Sequence, residues 1–273
     1  MVFCRDLNSG VRWKKFLITE LFGWKYLMYN ITIILIFSFA IIVFILLFYI
    51  SAPYGRFLRK GWGPVIKTRW AWMIMEFPSP ALMTIFFILS DQKAFPQVLF
   101  LMLWLSHYIH RTFIYPFRQS GREKPYPVIL VSMAFVFNCM NGFVNGYGVF
   151  HLISYSDSWL CSWQFITGIV LFIVGFSINK TADEKLRNLR TNNPQEYKIP
   201  EGWLFDYISS PHYFGEIIEW AGWAVMTWSL PGLAFSIFTF ANLFPRGISS
   251  HKWYKKNFRD YPIDRKAVIP FII

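Results

Sequence analysis

From Leu27 to Ser51 the chain reads LMYNITIILIFSFAIIVFILLFYIS, and no charged residue stands between Lys25 and Arg56. A helix of about 20 mostly apolar residues crosses the hydrocarbon core of a bilayer, where every backbone polar group must be satisfied within the segment. This run is that long, so the chain is committed to a membrane. Further apolar runs follow at about 70–90, 94–117, 126–152 and 159–179. A last one, about 212–245, is long for one helix and short for two. It is broken at Ser229-Leu230-Pro231-Gly232, where proline removes a backbone donor and glycine permits a turn. Reading it as two short helices gives an all-α, polytopic bundle of about seven transmembrane helices. Residues 1–273 form a single domain, with no internal repeat. The basic, aromatic start (1–26) lacks the apolar core and small-residue cleavage site of a signal peptide and reads as an amphipathic interfacial segment.

With 55% hydrophobic and only 15% charged residues, against about 25% charged in soluble domains, the composition excludes a disordered chain and an ordinary soluble enzyme. The three cysteines (Cys4, Cys139, Cys161) show no CxxC spacing and read as small hydrophobes. A net charge of +12 would suggest nucleic acid in a soluble protein, but here it is read against the bilayer. In a seven-span chain one side collects Arg56, Arg59, Lys60, Lys67 and Arg69, then Arg118, Arg122 and Lys124, then Lys180–Lys198, then seven basic residues of the tail. The opposite loops hold Lys93 alone. The positive-inside rule then places the C-terminus in the cytoplasm, with the endoplasmic reticulum as host membrane in a eukaryote and the inner membrane in a bacterium. The basic N-terminus runs against this count, and six spans would relieve it.

Ionisable groups at membrane depth are costly, and their default reading is functional. Glu76 lies in WMIMEFPSP, where two prolines predict a kink. HYIHRTFIY sets Tyr108, Arg111 and Tyr115 on one helical face, and SSPHYFGEIIEW does the same for His212, Glu216 and Glu219. Gly142, Gly146 and Gly148 lie inside a span, where small residues let helices pack closely. His107 and His110 beside Glu-x-x-Glu raise a desaturase-like metal site, but five histidines and no HExxH are too few ligands, so no metal is expected. Soluble nucleotide motifs are absent as well. Arg122, Asn179, Asp183, Arg190 and Arg246 share the basic side and could converge on phosphates, since arginine forks suit them. Plain topology accounts for the same charges equally well.

The C-terminal half is similar to the steroid 5α-reductase family. The resemblance rests on GFSINKTADEKLRNLR, EYKIPEGWLFDYISSPHYFGEIIEWAGWA, WSLPGLAF and HKWYKKNFRDYPIDRKAVIPFII, with EFPSP and HYIHRTFIYPF…PYP upstream. Together these span residues 70–273. The resemblance implies an NADPH-dependent reductase of the Δ4 double bond of 3-oxo-steroids. In it Glu76 and Tyr108 hydrogen-bond the 3-carbonyl, and Arg111, Tyr115, Arg122, Asn179, Asp183, Arg190, His212, Glu216, Glu219, Arg246 and Tyr254 serve the cofactor. Hydride addition to an enone builds negative charge on the carbonyl oxygen, which a Tyr hydroxyl and a protonated Glu would stabilise. His212 stands where the family has asparagine, which bears on one cofactor contact, and Met75 stands where glutamine is common, which implies a reshaped steroid pocket. The other readings are a reductase of enoyl thioesters or polyprenols, an isoprenylcysteine-type methyltransferase using S-adenosylmethionine, and a non-enzymatic lipid carrier. The expected partners are a steroid or similar lipid enone, NADPH and the bilayer, without nucleic acid or metal.

Overall fold

The computed structural model describes residues 7–190 and 197–273, with side chains from Gly23 onward. Helix α1 (Leu7–Tyr49) is unbroken, so the backbone of the expected interfacial segment continues straight into the first span from residue 7. Residues 1–6, with Cys4 and Arg5, lie outside the described residues. Then come α2 (Thr68–Glu76), α3 (Pro78–Leu89), α4 (Phe95–Ile109), α5 (Tyr115–Arg118), α6 (Val128–Tyr147), α7 (Trp163–Asn188), α8 (Pro211–Thr227) and α9 (Leu230–Asn257). As α2–α3 and α4–α5 are each one interrupted column, these make seven helical columns. Among the described residues, four stretches are long and apolar enough to cross a membrane: Gly23–Tyr49, Thr68–Leu89, Val128–Leu152 and Trp163–Asn188.

The interruptions follow the sequence. Helix α2 ends at Glu76 because Pro78 and Pro80 have no N–H for the ladder, and α3 starts with Pro78 in its first turn. Between α4 and α5, His110–Ile114 forms a π-helical turn, a wider turn often found at functional sites. It carries Arg111. Helix α7 runs nine residues past Asn179, the expected end of the fifth span, because TADEKLRN holds helix formers and no glycine or proline. Lys180 and Asp183 are therefore helical residues at the membrane exit, not loop residues. The predicted break at Ser229 is real, with Trp228 left-handed (φ 45°) and the Ser229 hydroxyl accepting from Gly232 N–H. The helix after it is long, however, running through Pro245 to Asn257.

The closest packing joins α7 to α8. A Cβ on Gly175 would lie 2.3 Å from the Glu219 nitrogen, one on Gly222 2.4 Å from that of Phe172, and one on Gly168 2.3 Å from that of Met226. With no side chain between them, the two backbones touch over several turns, as small residues permit in membranes. Gly142 and Gly146 do the same job more loosely, seating α6 on Leu82 and Phe86 of α3. A buried aromatic core of Phe100, Trp104, Tyr108, Phe172, Trp220 and Trp223 fills the centre. Two short antiparallel strands, β1 (Val65–Lys67) and β2 (Pro125–Pro127), were not foreshadowed by the sequence pattern; they tie the first basic loop to the third.

Candidate active site

The basic loops converge. Arg56 from the first loop stacks over Tyr197 (5.1 Å), Trp253 (4.7 Å) and Tyr254 (4.9 Å). Arg190, two residues past α7, lies 4.1 Å from the Tyr197 ring, and Lys124 of the third loop 5.3 Å from it. Arg246 of α9 stacks on Tyr54 (5.1 Å) and Tyr213 (5.3 Å) and donates to the Tyr213 hydroxyl at 3.3 Å. Arg56, Tyr197, Arg190, Lys124, Arg246, Tyr54 and Tyr213 line one cavity that opens among the basic loops and reaches inward to Trp72, Arg111, Tyr115, Asn179, Asp183, His212 and Glu216.

At its inner end Arg111 sits 3.6 Å from Glu216 and 3.8 Å from Asp183, with its guanidinium over Trp72 (4.4 Å) and Tyr115 (4.9 Å). Those ionic distances are too long for hydrogen bonds, and Asp183 Oδ2 has no donor among the described residues. Asn179 Nδ2 donates to the His212 carbonyl (2.9 Å) and to Glu216 (3.3 Å). Asn179 Oδ1, His212 Nδ1, Gln119 Nε2 and Arg56 Nη1 are all buried at the cavity without a partner among the described residues. Buried polar groups are normally satisfied. A cavity lined by such orphans, and by cations with no carboxylate partner among the described residues (Arg56, Arg190, Arg246), is shaped for an anion that also offers hydrogen-bonding groups.

Glu76 and Tyr108 stand one turn deeper. Trp72 lines the cavity four residues before Glu76 on α2, and Arg111 lines it three residues after Tyr108. A polar chain joins the two. Asn138 of α6 donates to Glu76 (3.3 Å) and to the Met75 carbonyl (2.7 Å) and accepts from the Ser79 hydroxyl (2.9 Å). The Ser79 carbonyl accepts from Trp104 Nε1 (3.3 Å), and the Trp104 indole stacks on the Tyr108 ring with centroids 5.0 Å apart.

Three expected cofactor residues lie off the cavity wall. Glu219 points away from it and meets His107 Nδ1 at 2.7 Å, both side chains being fully buried. The exposed Arg122 donates to the Phe117 carbonyl (2.9 Å) and neighbours Glu123 (3.9 Å). Tyr254 is buried behind Arg56 and takes part through its ring. Conversely, Arg56, Tyr197 and Asn138 were missed. Arg56 looked like one topogenic charge among several. Asn138 was legible only as a polar residue inside an apolar run. Among the described residues no group of three or more His, Cys, Asp or Glu could hold a metal ion.

The sequence profile described as 3-oxo-5-alpha-steroid 4-dehydrogenase matches residues 124–273, more than half of the chain. The chain is 43% identical over 236 residues to Steroid 5-alpha-reductase DET2 of Arabidopsis thaliana, covering 84% of this chain and 90% of that protein. The chain belongs to the 3-oxo-5-alpha-steroid 4-dehydrogenase family. Within that family it is also 39% identical to 3-oxo-5-alpha-steroid 4-dehydrogenase 1 of Bos taurus over 238 residues, 85% of this chain and 92% of the relative. Its identity to the Homo sapiens protein of that name is 38% over 226 residues, 81% and 86% of the two chains. As a family member of this architecture it is an integral, multi-pass membrane protein, and about half of the residues lining its cavity lie within the stretch that the family profile covers.

Proposed function

We propose that this chain reduces the Δ4 double bond of a 3-oxo-steroid with NADPH, the cofactor lying along the basic cavity and the steroid beyond its inner end. What carries this reading is the placement of Glu76 and Tyr108 one turn past the cavity wall, joined through Asn138, Ser79 and Trp104. Membership of the family supports the reaction.

The cavity suits the cofactor's charge and shape. Arg56, Arg190 and Arg246 would take phosphate oxygens. Asn179 and His212 would offer their unpartnered atoms to ribose or amide groups, and Asp183 would accept from a hydroxyl. NADPH, when bound, supplies a hydride to C5 of the enone, with a proton added at C4. Negative charge then gathers on the 3-oxygen, where the Tyr108 hydroxyl and the Glu76 carboxyl donate hydrogen bonds. Asn138 fixes the Glu76 carboxyl from behind. Trp72, stacked under Arg111, holds the guanidinium between the two compartments. The aromatic core around Trp104 and Trp220 excludes water from the reacting carbons. The basic loops at the cavity mouth would face the cytoplasm.

The test is NADPH oxidation by purified protein in detergent, with a Δ4-3-ketosteroid and with non-steroid enones, and mass analysis of the product. Glu76→Gln and Tyr108→Phe should each lose turnover by about 100-fold, the scale of one removed oxyanion donor. Wild-type turnover in both variants would sink the assignment of those roles. Reduction of enoyl thioesters in place of steroids would redirect the substrate class.

A further inference from the structure

The basic face of the molecule carries an apolar feature that the reaction does not use. The last residues close a tight turn: Val268 N–H donates to the Ile273 carbonyl (2.8 Å), and Ile273 N–H to that of Ile269 (3.2 Å). At its tip Phe271 and Ile272 are 77% and 73% exposed. The Phe271 ring lies 5.4 Å from Tyr207, itself exposed, and Trp203 begins the helical turn that leads into Tyr207. These side chains are displayed by a seated scaffold. Lys266 N–H donates to the Tyr207 carbonyl and Ser209 N–H to that of Lys266, both at 2.8 Å, and Val268 is wholly buried against Gly247. Phe271 and Trp203 both hold left-handed backbone (φ 65° and 61°), a conformation that is strained for a non-glycine residue. The surroundings are cationic. From Arg246 to the end there are seven Lys and Arg against two Asp, and Asp206, the acid nearest Tyr207 in sequence, is spent on the Gly202 N–H (2.7 Å).

We propose that this C-terminal turn is a membrane-interface anchor: Phe271, Ile272 and Tyr207 dip into the headgroup layer of an anionic leaflet, with Lys266 and the basic end of α9 on the lipid phosphates. Aromatic and aliphatic side chains beside clustered Lys and Arg are the combination that holds segments at anionic bilayer surfaces. A bilayer is the fitting occupant because the bundle that carries the turn is itself embedded in one, and because the charge surplus complements anionic headgroups. A soluble partner would have to reach the same strip. The anchor would hold the Tyr197–Ser210 segment, and with it one lip of the cavity, at the level of the membrane surface.

The experiment uses the full chain with Cys4, Cys139 and Cys161 replaced, carrying Phe271→Cys or, separately, Ile272→Cys, labelled with an environment-sensitive fluorophore. Each is reconstituted in phosphatidylcholine vesicles containing about 30% phosphatidylserine. Both sites are solvent-exposed in the protein, so folding does not depend on them. Lipids bearing a nitroxide near the headgroup should quench the label by about half, and aqueous iodide should quench it much less than in detergent-free buffer standards of the free dye. Pure phosphatidylcholine should weaken the lipid quenching. A label open to iodide and indifferent to the nitroxide lipids would overturn the proposal. So would a label shielded from both, which would mean that protein, a second copy or another partner, covers the turn.

Discussion

Substitution of Gly175 by alanine is the sharpest test of how the fold sets the site. The added Cβ would stand 2.3 Å from the Glu219 nitrogen and 2.5 Å from the Gly215 carbonyl oxygen. Both are backbone atoms, so no rotamer change relieves the clash. Ordinary contact needs about 3.5 Å, so α7 and α8 must part by about 1 Å at this point. Overpacking of that kind costs about 1–3 kcal/mol, or a drop of several degrees in unfolding temperature. The functional effect follows from register. Asn179 is one turn along α7, and its 2.9 Å hydrogen bond to the His212 carbonyl would stretch beyond the range of a hydrogen bond. Losing one such bond, at about 0.5–1.5 kcal/mol, should weaken cofactor binding by roughly 2- to 12-fold. Thermal unfolding in detergent and a fluorescence titration with NADPH measure the two effects. The control is Gly23→Ala, where nothing lies within 4 Å of the new Cβ. If Gly175→Ala unfolds and binds like the parent while Gly23→Ala does the same, the glycine seam does not set the site, and the reasoning fails.

Three further outcomes follow from particular contacts. Asn138→Leu removes the donor to Glu76 and leaves the buried Met75 carbonyl and Ser79 hydroxyl without their partner; it should lower stability by about 1–3 kcal/mol and reduce kcat more than the KM for cofactor, and equal loss in both would count against its role in holding Glu76. Arg56→Ala should weaken binding of 2′,5′-ADP, read by calorimetry without any turnover, by at least about 10-fold if its unpartnered Nη1 meets a phosphate; unchanged affinity would refute that. His251, on the part of α9 beyond the apolar stretch, shares a hydrogen bond with the Ser209 hydroxyl at 2.6 Å. Burial, aided by Lys255, Arg265 and Lys266, lowers its pKa from 6.5 to about 4. A depressed histidine contributes stability that is whole above 6.5 and is lost as pH falls toward 4. Tryptic release of the C-terminal tail should therefore rise over that window in the parent and lose this pH dependence in His251→Gln; a flat parent profile would refute the linkage.

The sequence disclosed what depends on local pattern. Apolar runs gave seven helical columns, the prolines after Glu76 gave the α2–α3 break, and Ser229-Leu230-Pro231-Gly232 gave the α8–α9 turn. It was least informative where a property belongs to two segments at once. Gly168, Gly175, Gly215 and Gly222 are ordinary glycines until α7 and α8 are laid together, because seven-residue spacing on one helix says nothing of what the other presents there. Glu219 shares a helical face with Glu216, yet three residues of helix turn its carboxylate toward His107 and away from the cavity.

The basic residues make the same point about function. Charge placement alone could not separate topogenic cations from ligand-binding ones, since both crowd the same loops. Partners separate them. Lys67 and Arg69 are spent on Glu123 at 3.1 and 2.7 Å, and Arg122 is exposed beside the same acid. Arg56, Arg190 and Arg246 instead lie against tyrosine and tryptophan rings around a shared cavity, with no carboxylate partner among the described residues. A cation that only orients a helix has no need of such a setting, because hydration in the headgroup layer already favours it there. Holding three guanidiniums partly out of water, with no carboxylate partner among the described residues, is unfavourable unless an anion enters. Binding of a phosphate-bearing ligand would offset that cost.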